Sequence, residues 1–147
     1  MTLDRVTSSP SETVKLGERL AKELAGGLVV GLVGELGAGK TVLIRGICRG
    51  LGYNGIVSSP TFSLMNIYSG DVPIYHFDWY RLDSPSDLDD LGFEEYASSE
   101  KGICLIEWAD RISQAIPPKA ILIHLEILSD HERRIYCPKR ACLPNSV

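Results

Sequence analysis

At 147 residues, 44% of them hydrophobic, the chain has the length of a single domain (1–147) and enough apolar content to fill its core. Its net charge of −4 carries no basic excess, which argues against a general nucleic-acid binder; basic residues cluster only at Arg133-Arg134 and Lys139-Arg140. Residues 1–15 are polar rather than a basic-plus-apolar leader, and no apolar run approaches the ~18 residues of a membrane span, so a soluble cytoplasmic protein without a membrane partner is expected.

The first element is announced by Ser9-Pro10-Ser11-Glu12, a serine N-cap, a proline at the first helical position and a glutamate that completes a capping box. Val14, Leu16, Leu20 and Leu24 give that helix an apolar stripe, and Gly26-Gly27 is expected to stop it. The run 28–33 (LVVGLV) reads as a buried strand, and 40–51 as a helix closed by Gly52. Between them stands GELGAGKT (34–41), which meets the pattern G-x-x-x-x-G-K-[ST] at every fixed position and has the strand before and helix after that give the pattern mechanical meaning.

Further along, 62–67 and 74–77 predict a hairpin about Ser69-Gly70-Asp71, and Ser84-Pro85-Ser86-Asp87 opens a short acidic helix interrupted at Gly92. Residues 103–106 (ICLI) read as a buried strand, 109–115 as a helical turn, and 121–128 with 133–137 as a second hairpin. Strands alternating with helices around such a loop predict a three-layer α/β domain of the P-loop NTPase class, with a mostly parallel central sheet and antiparallel edge strands. Cys48, Cys104, Cys137 and Cys142 lack C-x-x-C spacing and are expected to be reduced thiols; a zinc site from Cys137 and Cys142 with His131 or His124 matches no common structural spacing.

In the loop, glycines at 34, 37 and 39 let backbone N–H groups close around phosphate oxygens, and the helix N-terminus adds its dipole to the same anion. Lys40 would reach the β- and γ-phosphates and the Thr41 hydroxyl would serve Mg²⁺. A phosphate-bound Mg²⁺ needs further oxygen ligands, and two acids end strands: Glu107 after the wholly apolar 103–106, and Asp78 after Ile74-Tyr75-His76-Phe77. The apolar run favours Glu107 as the metal acid, while the polar His76 makes the other strand look half-exposed. Thr61, in the Ser58-Ser59-Pro60-Thr61 loop, sits where a switch segment of a P-loop protein senses the γ-phosphate, with a plain helix-to-strand turn as the alternative reading of the same residues. No N-K-x-D sequence reads guanine, so ATP is favoured.

The ordered landmarks GELGAGKT at 34–41, SPTF at 59–62, YHFDWYRL at 75–82, LGFEEY at 91–96 and LIEWAD at 105–110 resemble the TsaE family, small P-loop ATPases of bacterial tRNA threonylcarbamoyladenosine synthesis. The resemblance implies that Leu36, Gly37, Ala38, Gly39, Lys40 and Thr41 hold the ATP phosphates. It also implies that Thr41 and Glu107 serve Mg²⁺, that Asp78 binds metal or positions the attacking water, and that Thr61 is the switch threonine. By the same resemblance Trp108 aligns with a tryptophan linked to activity, although its position alone suggests core packing, and Ser9 and Thr13 lie near the adenine. After Trp108 the chain reads ADRI where many relatives carry a proline-bearing continuation, so no role is carried past it.

The family implies ATP hydrolysis in support of the TsaB and TsaD proteins, with tRNA reached only through that complex. Two other classes fit a P-loop: a kinase of a small molecule or nucleoside, and a nucleotide-dependent scaffold with little hydrolysis. Arg81 and Arg111 are the in-chain candidates for a transition-state arginine, each with the bland alternative of a surface ion pair.

Overall fold

The computed structural model describes residues 3–138, which build one seven-stranded sheet in the order β1-β7-β6-β2-β5-β4-β3. The strands are β1 (Asp4–Thr7), β2 (Val29–Val33), β3 (Met65–Ser69), β4 (Pro73–Asp78), β5 (Ile103–Glu107), β6 (Ile121–Ile127) and β7 (Arg133–Tyr136). The central four, β6, β2, β5 and β4, run parallel, while β3 at one edge and β7 with β1 at the other are antiparallel. The expected mostly parallel sheet with antiparallel edges is therefore the fold observed.

Side-chain parity divides β5 between two cores, since every one of its residues is buried. Ile103 and Leu105 face α1 (Pro10–Ala21) and α2 (Lys40–Gly50), meeting Leu16, Leu20, Leu43, Ile44 and Ile47. Cys104 and Ile106 face the other layer, made of α3 (Pro85–Leu91), α4 (Phe93–Ala97) and the 3-10 segment Ala109–Ala115, through Leu88, Phe93 and Ile112. On β4 the same parity sends Ile74, His76 and Asp78 toward α2 and Phe77 toward α4.

Several local expectations change in detail. Ser9 caps α1 by accepting from Glu12 N at 3.1 Å, but the Glu12 carboxylate reaches Ser8 N at 3.0 Å instead of closing a box on Ser9. The helix ends at Ala21 rather than at Gly26-Gly27, through three successive i→i−3 bonds, because the chain must turn for Gly27 N to meet Gly102 O at 2.8 Å and enter β2 beside β5. Strand β3 starts at Met65 rather than Phe62, because Leu64 N bonds Pro60 O at 2.7 Å and Leu64 takes φ +70°. The expected break of the acidic helix at Gly92 is present, with Gly92 at φ +72°. Strand β1, three of whose four residues are exposed, has no counterpart in the sequence reading.

Cys48 and Cys104 are buried free thiols, pushed up to about 12 by burial. Cys137 is disulfide-bonded, which corrects the expectation of four reduced cysteines; Cys142, Lys139 and Arg140 lie outside the described residues. Among the described residues no helix is long and apolar enough to cross a membrane, and no three His, Cys, Asp or Glu side chains are grouped to hold a metal by themselves.

Candidate functional site

The loop 34–41 leaves the C-terminal end of β2, between β6 and β5, and turns directly into α2. Gly39 is the N-cap of α2 at φ +98° and Gly37 has φ +83°, conformations that L side chains rarely adopt. Ala38 between them is fully buried and packs in the first core, while Leu36 stands 85% exposed at the rim. Leu36, Gly37, Gly39, Lys40, Thr41, Thr61, Asp78 and Glu107 all line one cavity of 450 Å³. Of the loop residues expected to hold phosphate, only Ala38 presents no surface to it.

Lys40 is buried, and its ammonium donates to Gly34 O at 2.5 Å and Glu35 O at 3.0 Å. It also lies 3.8 Å from the centre of the Trp108 ring, a cation–π contact. Burial pulls the Lys40 pKa below its ordinary value, while Glu107, Asp110 and Asp78 pull it the other way. Trp108 gains its place through φ +58°, a left-handed turn at the end of β5 that folds the ring back over Lys40 and against Tyr80. Trp108 thus lines the cavity and also packs against the second core, so the core-packing expectation holds and a place in the cavity wall is added to it.

The two acids sit side by side in register, Asp78 opposite Glu107 on adjacent parallel strands. Glu107 accepts from the Thr41 hydroxyl, 2.9 Å from Oε1 and 3.1 Å from Oε2. Asp78 Oδ2 accepts from Ser59 Oγ at 2.8 Å and Thr61 Oγ1 at 3.3 Å, and its Oδ1 from Tyr80 N at 2.8 Å. Both residues are buried, 3% exposed each, and meet solvent only through the cavity they line. The half-exposed reading of β4 is wrong: His76 is wholly buried, its Nε2 2.6 Å from Glu107 Oε2 and its Nδ1 3.0 Å from the Tyr68 hydroxyl.

Ser9 and Thr13 stand apart from this cluster, in a neighbouring cavity of 290 Å³ that shares Gly37, Gly39 and Val42 with the first. Thr13 is tied to Thr7 by a 2.7 Å hydroxyl contact. Arg133, which sequence reasoning did not select, closes the other side of that cavity and donates to Gly37 O from Nε at 3.3 Å and Nη2 at 3.2 Å. Ser59 and His76 were also missed as site residues, although both lie inside the landmarks SPTF at 59–62 and YHFDWYRL at 75–82. Arg111 is occupied with Leu82 O and Asp83, and Arg81 stacks 4.3 Å over Phe62.

The family model described as "Threonylcarbamoyl adenosine biosynthesis protein TsaE" matches residues 7–135. Among curated proteins, the tRNA threonylcarbamoyladenosine biosynthesis protein TsaE of Treponema pallidum (strain Nichols) is 38% identical over 130 residues, covering 88% of this chain and 96% of that one. Its namesake in Bacillus subtilis (strain 168) is 40% identical over 130 residues, covering 88% and 80%. Among solved structures, the crystal structure of Bacillus subtilis YdiB superposes with a TM-score of 0.79 at 35% identity, covering 93% of this chain and 84% of that one.

Proposed function

The chain belongs to the TsaE family, and from that premise we propose that it is the ATP-binding and ATP-hydrolysing subunit supporting threonylcarbamoylation of adenosine 37 in tRNA, a single-domain cytoplasmic protein coupled to TsaB and TsaD. One observation carries the proposal: the Thr41 hydroxyl against Glu107, beside a buried Lys40 and in register with Asp78. That donor set consists of oxygens alone, a hydroxyl and two carboxylates, which suits Mg²⁺ and not a thiophilic metal.

Thr41 and Glu107 would hold the ion, directly or through its water, and Mg²⁺ bound with the triphosphate supplies positive charge against the charge developing on the phosphoryl oxygens. Lys40 would exchange the carbonyls of Gly34 and Glu35 for β- and γ-phosphate oxygens. Asp78, which accepts from Ser59, Thr61 and Tyr80 N, would orient a water for attack. Ser9 and Thr13, with Arg133 opposite, would flank the nucleoside beyond the loop.

Phosphate release from Mg-ATP, measured alone and with cognate TsaB and TsaD, tests this reading. A slow rate that rises with both partners and is abolished in Lys40→Ala is expected, with Asp78→Ala and Glu107→Ala losing turnover before binding. A phosphorylated acceptor in place of free phosphate would establish a kinase. Full partner function in Glu107→Ala, with loss in Lys40→Ala, would establish a scaffold that binds ATP without needing to hydrolyse it.

A further inference from the structure

Binding triphosphate and Mg²⁺ does not account for the polar groups buried behind Glu107. His76 on β4 is wholly buried, and Tyr68 on β3 is 6% exposed. A polar ring placed there is costly unless both nitrogens are satisfied, and they are: Nε2 by Glu107 at 2.6 Å and Nδ1 by Tyr68 at 3.0 Å. The far end of this row lies in the switch segment. The Tyr68 hydroxyl is 3.3 Å from Ser58 O, and Asn66 Nδ2 donates to the same carbonyl at 3.2 Å. Segment 58–61 is therefore tied twice, at the front to Asp78 through Ser59 and Thr61, and at the back through Ser58 O to the row that ends on Glu107.

One hydroxyl links the two ends. Tyr68 Oη stands within hydrogen-bond reach of both Nδ1 of the ring that contacts Glu107 and the carbonyl of Ser58. It carries a single proton, so a shift of Ser58 O would change how that hydroxyl is shared and, with it, how the His76 ring is held against Glu107.

We propose that Tyr68 and His76 are positioning residues that couple the place of segment 58–61 to the orientation of Glu107, and so set how tightly the site holds its divalent cation. The proposal rests on Glu107 serving Mg²⁺ and extends that reading to groups outside the cavity. Outer-shell partners of metal-holding carboxylates typically alter metal affinity by about 10- to 100-fold when removed.

The test is a Mg²⁺ titration of ATP binding to the full chain, followed calorimetrically, beside ATP affinity in EDTA and the melting temperature. Tyr68→Phe retains the ring that stacks on Tyr53 at 4.8 Å, so it keeps the packing and removes only the hydroxyl. Tyr68→Phe and His76→Gln are expected to raise the Mg²⁺ midpoint about tenfold or more while ATP affinity in EDTA stays within about twofold. Wild-type midpoints in both variants, with a raised midpoint in Glu107→Gln, would overturn the coupling and leave the metal assignment standing. An unchanged midpoint in Glu107→Gln would remove the metal assignment and the coupling with it. Equal loss with Mg²⁺ and in EDTA would reduce Tyr68 and His76 to packing.

Discussion

Lys40 must remain charged where burial disfavours charge, since its pKa is lowered chiefly by desolvation and only partly restored by Glu107, Asp110 and Asp78. The sign of the consequence follows. Between the lowered folded value and the unfolded value of 10.5, the unfolded chain binds more protons, so this residue's contribution to stability rises with pH across that window and is unfavourable below it. Lys40→Met removes the buried charge and is expected to equal or exceed the parent's stability at pH 7 by about 1 kcal/mol without nucleotide, the advantage shrinking toward pH 10. Urea melts at the two pH values measure it, and a Met variant clearly weaker at pH 7 would show that the bonds to Gly34 O and Glu35 O outweigh desolvation. Residue identity was legible here because a P-loop lysine is fixed by its motif. The Trp108 ring over Lys40 was not, because it depends on one left-handed φ that no residue preference announces for tryptophan. His76 was misread for a related reason: alternation reports polarity, and a buried polar residue whose partners come from β3 and β5 looks the same as an exposed one.

Elements with their own start and stop chemistry were readable from the sequence: the Ser-Pro starts of α1 and α3, the Gly92 break, and the loop between β2 and α2. So were the apolar strands and the two hairpins; β1, which is mostly exposed and defined only by its partner, was not, and it exists because Asp4 to Thr7 find β7 at the sheet edge. The contact between α1 and α2 was likewise not legible. Gly17 and Gly46 lie where the helices cross; a Cβ on Gly17 would stand 2.6 Å from Leu43 O, and one on Gly46 would overlap the carbonyl of Val14. Backbone cannot yield as a side-chain tip can, so the helices would have to separate. Gly46→Ala, despite the better helix propensity of alanine, is expected to cost about 1–3 kcal/mol, read as a fall in denaturation midpoint. Because α2 begins at Lys40, nucleotide affinity should fall with it; an unchanged midpoint would mean the crossing is looser than the backbone distances imply.

Across the whole molecule, the cavity joins the end of the central strand β2, the neighbouring ends of β5 and β4, and the first turn of α2, so its walls are backed by both hydrophobic cores. A ligand gripping these walls stabilises elements that unfold only with the rest, not a loop that opens alone. Binding should then appear in full in global stability: at about 100 times the dissociation constant, linkage gives about 2.7 kcal/mol. For a chain of this size that corresponds to a rise in melting temperature of about 5–11 °C. Mg-ATP is expected to produce that rise in the parent, a smaller one in EDTA, and none in Lys40→Ala. Scanning calorimetry at several nucleotide concentrations separates the outcomes, because linkage requires the melting temperature to climb with the logarithm of free ligand once the site is saturated. A melting temperature indifferent to saturating Mg-ATP would place the nucleotide outside the cooperative core and count against the site at Lys40, Thr41 and Glu107, whereas a rise surviving in Lys40→Ala would move the phosphate contacts onto the backbone of Gly37 to Gly39 and the helix N-terminus alone.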